Sequence, residues 1–322
     1  MKVGFQSKTD NNIVENTPSK VSPSSTEKTK YLVWHIEGGL GKNVAATSLL
    51  EPISQKYSDR KIIVVASYPE VFINNPHVYR IYRVGMTSYF YDDYIKDQDT
   101  LVFRHEPYFQ TSHILKKKHL IENWADLLDV KYEGQFPSIY FNLVQKQLPF
   151  NWLREKPILL LQTNGGLFQG QTLNYSWTRD IPYALASQIV EEFKNDYHII
   201  QLTRQGALIL EGVEVIDYPL SNMELFGLIA VSEKRVLIDS SPQHVAAALN
   251  LPSTVLWIGT SPSNFGYNMH SNVIANPPNG NTKLIDAYLF DYSFEGVPHE
   301  CPYSDVEEMF NVNDVINSIK KI

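Results

Sequence analysis

The stretch Leu237-Ile238-Asp239-Ser240-Ser241-Pro242-Gln243-His244-Val245-Ala246-Ala247-Ala248-Leu249 reads as a strand, a tight turn and the start of a helix. The apolar run brings Asp239 and two serines to the carboxyl end of a strand. Ser240 or Ser241 suits the N-cap of the helix that follows, and Pro242 suits its first turn. Free amides and the helix dipole at that point favour an anion such as a diphosphate. His244 falls in the same first turn and can face the same crevice. A well-capped, buried helix with a satisfied histidine would leave the same pattern.

A second turn of this kind lies upstream. Gly38-Gly39-Leu40-Gly41-Lys42-Asn43 follows the apolar run Tyr31–Ile36 and opens a helix in which Ala45, Leu49 and Ile53 recur every four residues. A P-loop would need a glycine where Ile36 stands and a Ser or Thr where Asn43 stands. A dinucleotide fingerprint would need a third glycine at Val44 and an acidic residue after the next strand, which ends Ala66-Ser67-Tyr68. Neither motif is present. Glycines here still allow backbone amides to approach a polar ligand, or simply allow a tight turn.

Between and beyond these turns, strands alternate with helices. Strands are expected over Tyr31–Ile36, Lys61–Ala66, Tyr79–Val84, Ile158–Thr163, His198–Thr203, Val213–Asp217, Arg235–Asp239 and Ser253–Ile258. Helices are expected over His119–Leu128, Ile181–Lys194, Asn222–Ser232 and Pro242–Leu249, with a short helix or loop at Pro69–Asn75. This order predicts an α/β chain with parallel sheets. Gln145–Pro157 reads as a hinge between two halves, which show no sequence repeat. The expected organisation is a flexible polar arm over 1–30, one α/β domain over 31–149, a second over 150–290, and a segment over 291–322 ending in a helix near Val312–Ile319.

Composition sets the outer bounds. The 322 residues suggest about two domains. A net charge of −7 argues against a general nucleic-acid coat protein. The one cysteine, Cys301, excludes an internal disulfide framework. The apolar runs are too short to span a bilayer, and the first residues do not resemble a signal peptide, so a cytoplasmic protein is expected. His299-Glu300-Cys301 offers too few ligands for a zinc site.

Taken together, the two turns resemble the heptosyltransferase-like glycosyltransferases of family 9, which have the GT-B fold. The resemblance runs from about Tyr31 to Tyr267. It rests on Gly39-Leu40-Gly41-Lys42 with Ala46-Thr47-Ser48-Leu49-Leu50, and on Pro69-Glu70-Val71 with Asn75-Pro76-His77-Val78. Its closing part is Asp239 through Ala248, then Ile258-Gly259-Thr260-Ser261-Pro262. It implies two facing Rossmann-like domains with parallel sheets, acceptor in the first and nucleotide-sugar donor in the second. It implies inverting transfer of a hexosyl or heptosyl group, no required metal or other cofactor, and a final helix packed back on the first domain. Thr163, Asn164, Asp239, Ser240, Ser241 and His244 would line the donor site, and Gly39, Gly41 and Lys117 the acceptor side. The implied acceptor is a surface glycan or lipopolysaccharide core.

The sequence departs from the family at two points. The family's aspartate after Gly-Leu-Gly, the usual candidate base, is Lys42 here, and the glycine of its Asp-Ser/Thr-Gly motif is Ser241. Inverting transfer needs a group that takes the acceptor's proton, which a protonated lysine does badly, although it could hold an anion. Glu37 and His105 are the candidate replacements. A chain that binds a nucleotide sugar or glycan without turnover is the alternative. The cluster Lys116-Lys117-Lys118-His119, near Arg104, His105 and His113, would suit an anionic acceptor: a phosphorylated glycan or, as a further option, modified bases in nucleic acid.

Overall fold

In a computed structural model, residues 28–115, 117–165, 177–277, 301, 303 and 305–322 are described. The expected arm lies almost wholly outside them, as does most of the His299-Glu300-Cys301 run.

Runs of Val, Ile and Leu form the sheet centres, because a strand covered on both faces needs apolar side chains on both. The first half comprises β1 (Lys30–Ile36), α1 (Leu40–Ala46), a 3₁₀ turn (Thr47–Leu49), α2 (Leu50–Lys56), β2 (Lys61–Ala66), β3 (Arg80–Arg83), α3 (Phe90–Tyr94), β4 (Asp99–Phe103), α4 (Thr111–Ile114) and α5 (Leu120–Leu128). Its four strands are parallel in the order β3-β2-β1-β4. The second half comprises β5 (Ile158–Gln162), α6 (Tyr183–Phe193), β6 (His198–Leu202), β7 (Glu214–Ile216), α7 (Asn222–Val231), β8 (Lys234–Ile238), α8 (Ser241–Ala248), β9 (Thr254–Trp257), α9 (Pro262–Phe265), β10 (Ser271–Ile274) and α10 (Val312–Lys321). Its six strands are also parallel, in the order β10-β9-β8-β5-β6-β7.

Each order reverses direction once, between β1 and β4 in the first sheet and between β5 and β8 in the second. In open parallel sheets, ligands settle in the crevice beyond the strand carboxyl ends at such a reversal. Both sequence turns singled out above leave from these strands.

The halves are joined by packing as well as by the chain. One apolar core runs from Trp34, Val44 and Trp124 in the first half to Leu160, Phe226 and Trp257 in the second. Trp34 and Trp124 meet edge to face at 5.1 Å. The expected hinge is a 3₁₀ segment over Gln145–Trp152 laid against α7, where a Cβ on Gly227 would stand 3.0 Å from Leu148.

The final helix corrects an expectation. It packs on the second half, not the first: Val315 and Ile319 are buried in a core shared with Leu159, Ile189 and Val236. The Ser318 hydroxyl bonds Thr254 at 2.9 Å. Its apolar stripe matches the open face beside β8 and β9, so the shortest path to burial lies there.

Candidate functional site

The amino-terminal turns of α1 and α8 meet at the junction of the halves. A Cβ on Gly41 would lie 2.7 Å from His244 Cδ2 and 3.4 Å from Ser241 Cα, so only glycine allows this approach. Gly41 is therefore inside the helix, which begins at Leu40, rather than in the turn. Gly39 is its extended N-cap residue. Gly38, at φ +106°, makes the left-handed bend that turns the chain from β1 into the helix.

Lys42, one residue further, is only 8% exposed. A buried ammonium must be paired. Its Nζ donates to Glu106 Oε2 at 2.5 Å and lies 5.4 Å from the ring centroids of both Tyr108 and Trp124. The charge that could have held a phosphate is thus committed to Glu106, on the loop after β4. Glu37 pairs with Arg104 at 2.7 Å, with both side chains substantially exposed. The His105 ring sits 5.6 Å from Phe103, and its Nδ1 is buried without a hydrogen-bond partner among the described residues.

On the second half, Asp239 is buried and its Oδ2 accepts from Thr260 Oγ1 at 2.6 Å, tying the ends of β8 and β9 together. Ser240 and Ser241 are half-buried at the start of α8, with Ser240 the extended N-cap residue making no side-chain cap bond. His244 is enclosed. The Gln243 amide donates to its Nε2 at 3.1 Å, which leaves Nδ1–H to donate to the Tyr267 hydroxyl at 2.8 Å. Burial, and then the neighbouring His119, His270 and Arg179, lower its pKa to about 3, so the ring is neutral. The structure therefore gives His244 a place in the contact between the halves, facing Gly41 and Tyr267.

At the end of β5, Thr163 donates to Asn164 Oδ1 at 3.0 Å and accepts from Gln201 Nε2 at 3.0 Å. Thr203 also donates to Asn164. Beside them is an open cavity of about 420 Å³, lined by Asn164, Asp180, Tyr183, Gln201 and Arg204 among others. Asp180 and Arg204 pair across it at 2.5 Å. Lys117 lies elsewhere, exposed on a groove of about 300 Å³ between the start of α5 and residues 262–268, together with Tyr132, Phe136 and Tyr267.

Glu106, Tyr108, Arg179 and Thr260 belong to this site but were given no role from the sequence. The Tyr108 ring lies 6.1 Å from Phe265 of the second half. Burial, then Asp239 and Glu106, raise its phenol pKa, and Arg179 opposes them. These charges from both halves therefore act on one hydroxyl. Among the described residues, no three His, Cys, Asp or Glu side chains gather as a metal site requires. No helix of theirs is long and apolar enough to cross a membrane.

No protein-family model matches the sequence, and no curated protein matches it. Solved structures do match. A family 9 glycosyl transferase from Veillonella parvula overlaps at TM-score 0.62 and 11% identity, covering 91% of this chain and 96% of that one. The E. coli ADP-heptose lipopolysaccharide heptosyltransferase II overlaps at TM-score 0.60 and 13% identity, covering 90% and 98%. The iron-containing E. coli heptosyltransferase TibC, in complex with ADP-D-β-D-heptose, overlaps at TM-score 0.61 and 15% identity, covering 91% and 78%. The fold is GT-B.

Proposed function

We propose that this chain is a glycosyltransferase of the heptosyltransferase-like family 9, moving a sugar from a nucleotide-sugar donor to a hydroxyl acceptor with inversion. The observation that carries the reading is the apposition of two switch-point crevices, one from each sheet, in a fold shared along most of its length with a protein that binds ADP-heptose. The donor's nucleoside fits the cavity beside Asn164, Asp180 and Arg204. Its diphosphate fits the amino end of α8 at Ser240 and Ser241, where the helix dipole stabilises negative charge. The acceptor fits the first half, near Glu37, Gly39 and Glu106. Catalysis comes chiefly from aligning both substrates and stabilising the departing diphosphate.

A glycan is the favoured acceptor, since Lys118 of the basic cluster is already paired with Asp126. The test is incubation with ADP-, UDP- and GDP-sugars, following release of nucleoside diphosphate, alongside thermal shifts with the diphosphates alone. At least one nucleoside diphosphate should raise the melting temperature, and its sugar should be consumed. Neither effect with any of the three would overturn the reading. Binding without turnover on any acceptor would favour the non-catalytic alternative.

A further inference from the structure

Glycosyl transfer with inversion needs a proton acceptor on the acceptor side, and position 42 supplies a cation instead. Three groups at the carboxyl ends of β1 and β4 could take the proton. Glu37 is held at the rim by Arg104, and His105 is turned against Phe103. Glu106 differs from both. It lies on the loop leaving β4, at the reversal between β1 and β4, where the first sheet's crevice opens.

Lys42 engages one carboxylate oxygen of Glu106, and among the described residues the other accepts a long bond from the Tyr108 amide at 3.4 Å. The Lys42 side chain is 6% exposed and that of Glu106 38%, so the carboxylate faces outward from its buried cation. A carboxylate has about four acceptor directions, and with its side chain 38% exposed this one keeps some of them open to solvent. Tyr108, two residues along, reaches the second half at Phe265.

We propose that Glu106 is the group that takes the acceptor's proton, with Lys42 as the positioning residue that fixes its carboxylate. This inference rests on the glycosyl-transfer reading above. The acceptor oxygen forms a bond to the anomeric carbon as the bond from that carbon to the diphosphate oxygen breaks. The electron pair leaves with the diphosphate, and the hydroxyl proton passes to Glu106 and then to water. The arrangement moves the carboxylate from position 42 to position 106 and puts its cation where the family has an acid.

The test compares the full-length wild type with Glu106→Gln, Glu106→Asp, Lys42→Met and Lys42→Arg, using ADP-, UDP- and GDP-sugars with water as acceptor. Glu106→Gln keeps an oxygen for Lys42 and should lower kcat roughly 10²- to 10⁴-fold, while the nucleoside diphosphate thermal shift stays at the wild-type value. It should also abolish the acid limb of the kcat/KM profile, and Glu106→Asp should restore part of the rate. Lys42→Met should lower kcat while leaving the diphosphate thermal shift unchanged, because the carboxylate loses the group that orients it. Lys42→Arg, which keeps a donor for the carboxylate, should restore part of the rate lost in Lys42→Met. Wild-type turnover together with a Glu106→Gln rate within threefold of it overturns the assignment alone. Wild type with neither diphosphate binding nor donor breakdown overturns the glycosyl-transfer reading and the assignment with it.

Discussion

The two carboxyl edges that face each other are built from different side chains. The second sheet's edge is held mainly by short ones, Thr163, Asn164 and Thr203 bonded in a cluster and Asp239 bonded to Thr260, with one ion pair, Arg204 to Asp180, beside them. The first sheet's edge is held by long ionic ones, Lys42 to Glu106 and Arg104 to Glu37. Short side chains lose little rotamer entropy on ordering and leave space beside them, which is where the cavity of about 420 Å³ lies. Long charged chains fill their own space and carry charge inward. One edge leaves open space beside it, and the other fills its space with paired charges.

The contact between the edges is the most sensitive place to strike. Gly41→Val would drive a side chain into His244 and the Ser241 backbone, and should cost about 3 kcal/mol in urea unfolding. An unchanged midpoint would mean that the halves are not pressed together at this point. Next, Asp239→Ala leaves the buried Thr260 hydroxyl without its acceptor. A loss of roughly 2 kcal/mol is expected, and no loss would remove the argument that short bonds hold the second edge.

Acidification probes the same junction. Burial lowers the pKa of His244 to about 3 and that of His270 to about 4. Unfolded, both would ionise near 6.5, so below that pH the unfolded chain binds more protons and stability falls down to the folded pKa values. At pH 5.5 each histidine should have cost about 1.2 kcal/mol relative to pH 7. His244→Gln should flatten this slope in a series of unfolding curves, and an unaltered slope would contradict the enclosed, neutral ring. The smallest effect is expected at the long-chain edge. Arg104→Ala breaks an exposed pair and should change stability by less than about 0.5 kcal/mol. A loss matching that of Asp239→Ala would erase the contrast between the edges.

Legibility in the sequence followed burial only in part, since the edge strands β3 and β7 could be read as well as the central ones. The central strands β1, β2 and β5 are nearly continuous apolar runs, and β8 ends in one, Val236-Leu237-Ile238, so all four could be read directly. Strands β4 (Asp99-Thr100-Leu101-Val102-Phe103) and β10 (Ser271-Asn272-Val273-Ile274) were missed. Both are edge strands, only partly covered, so their polar residues break the pattern that marks a buried strand. Missing β4 also hid Glu106. Its partner Lys42 is 64 positions away, and only the parallel pairing of β1 with β4 brings the two loops together. The final helix was legible as a helix, but its sequence could not say which sheet its apolar stripe would cover.

The order of strands and helices, the glycine at position 41 and the serines opening α8 follow from the sequence alone, because propensity, periodicity and capping act over a few neighbouring residues. Which carboxylate meets Lys42, the enclosure of His244 and the docking of the last helix were decided only by the tertiary structure. These depend on strand order and on contacts between distant segments, which local sequence does not encode.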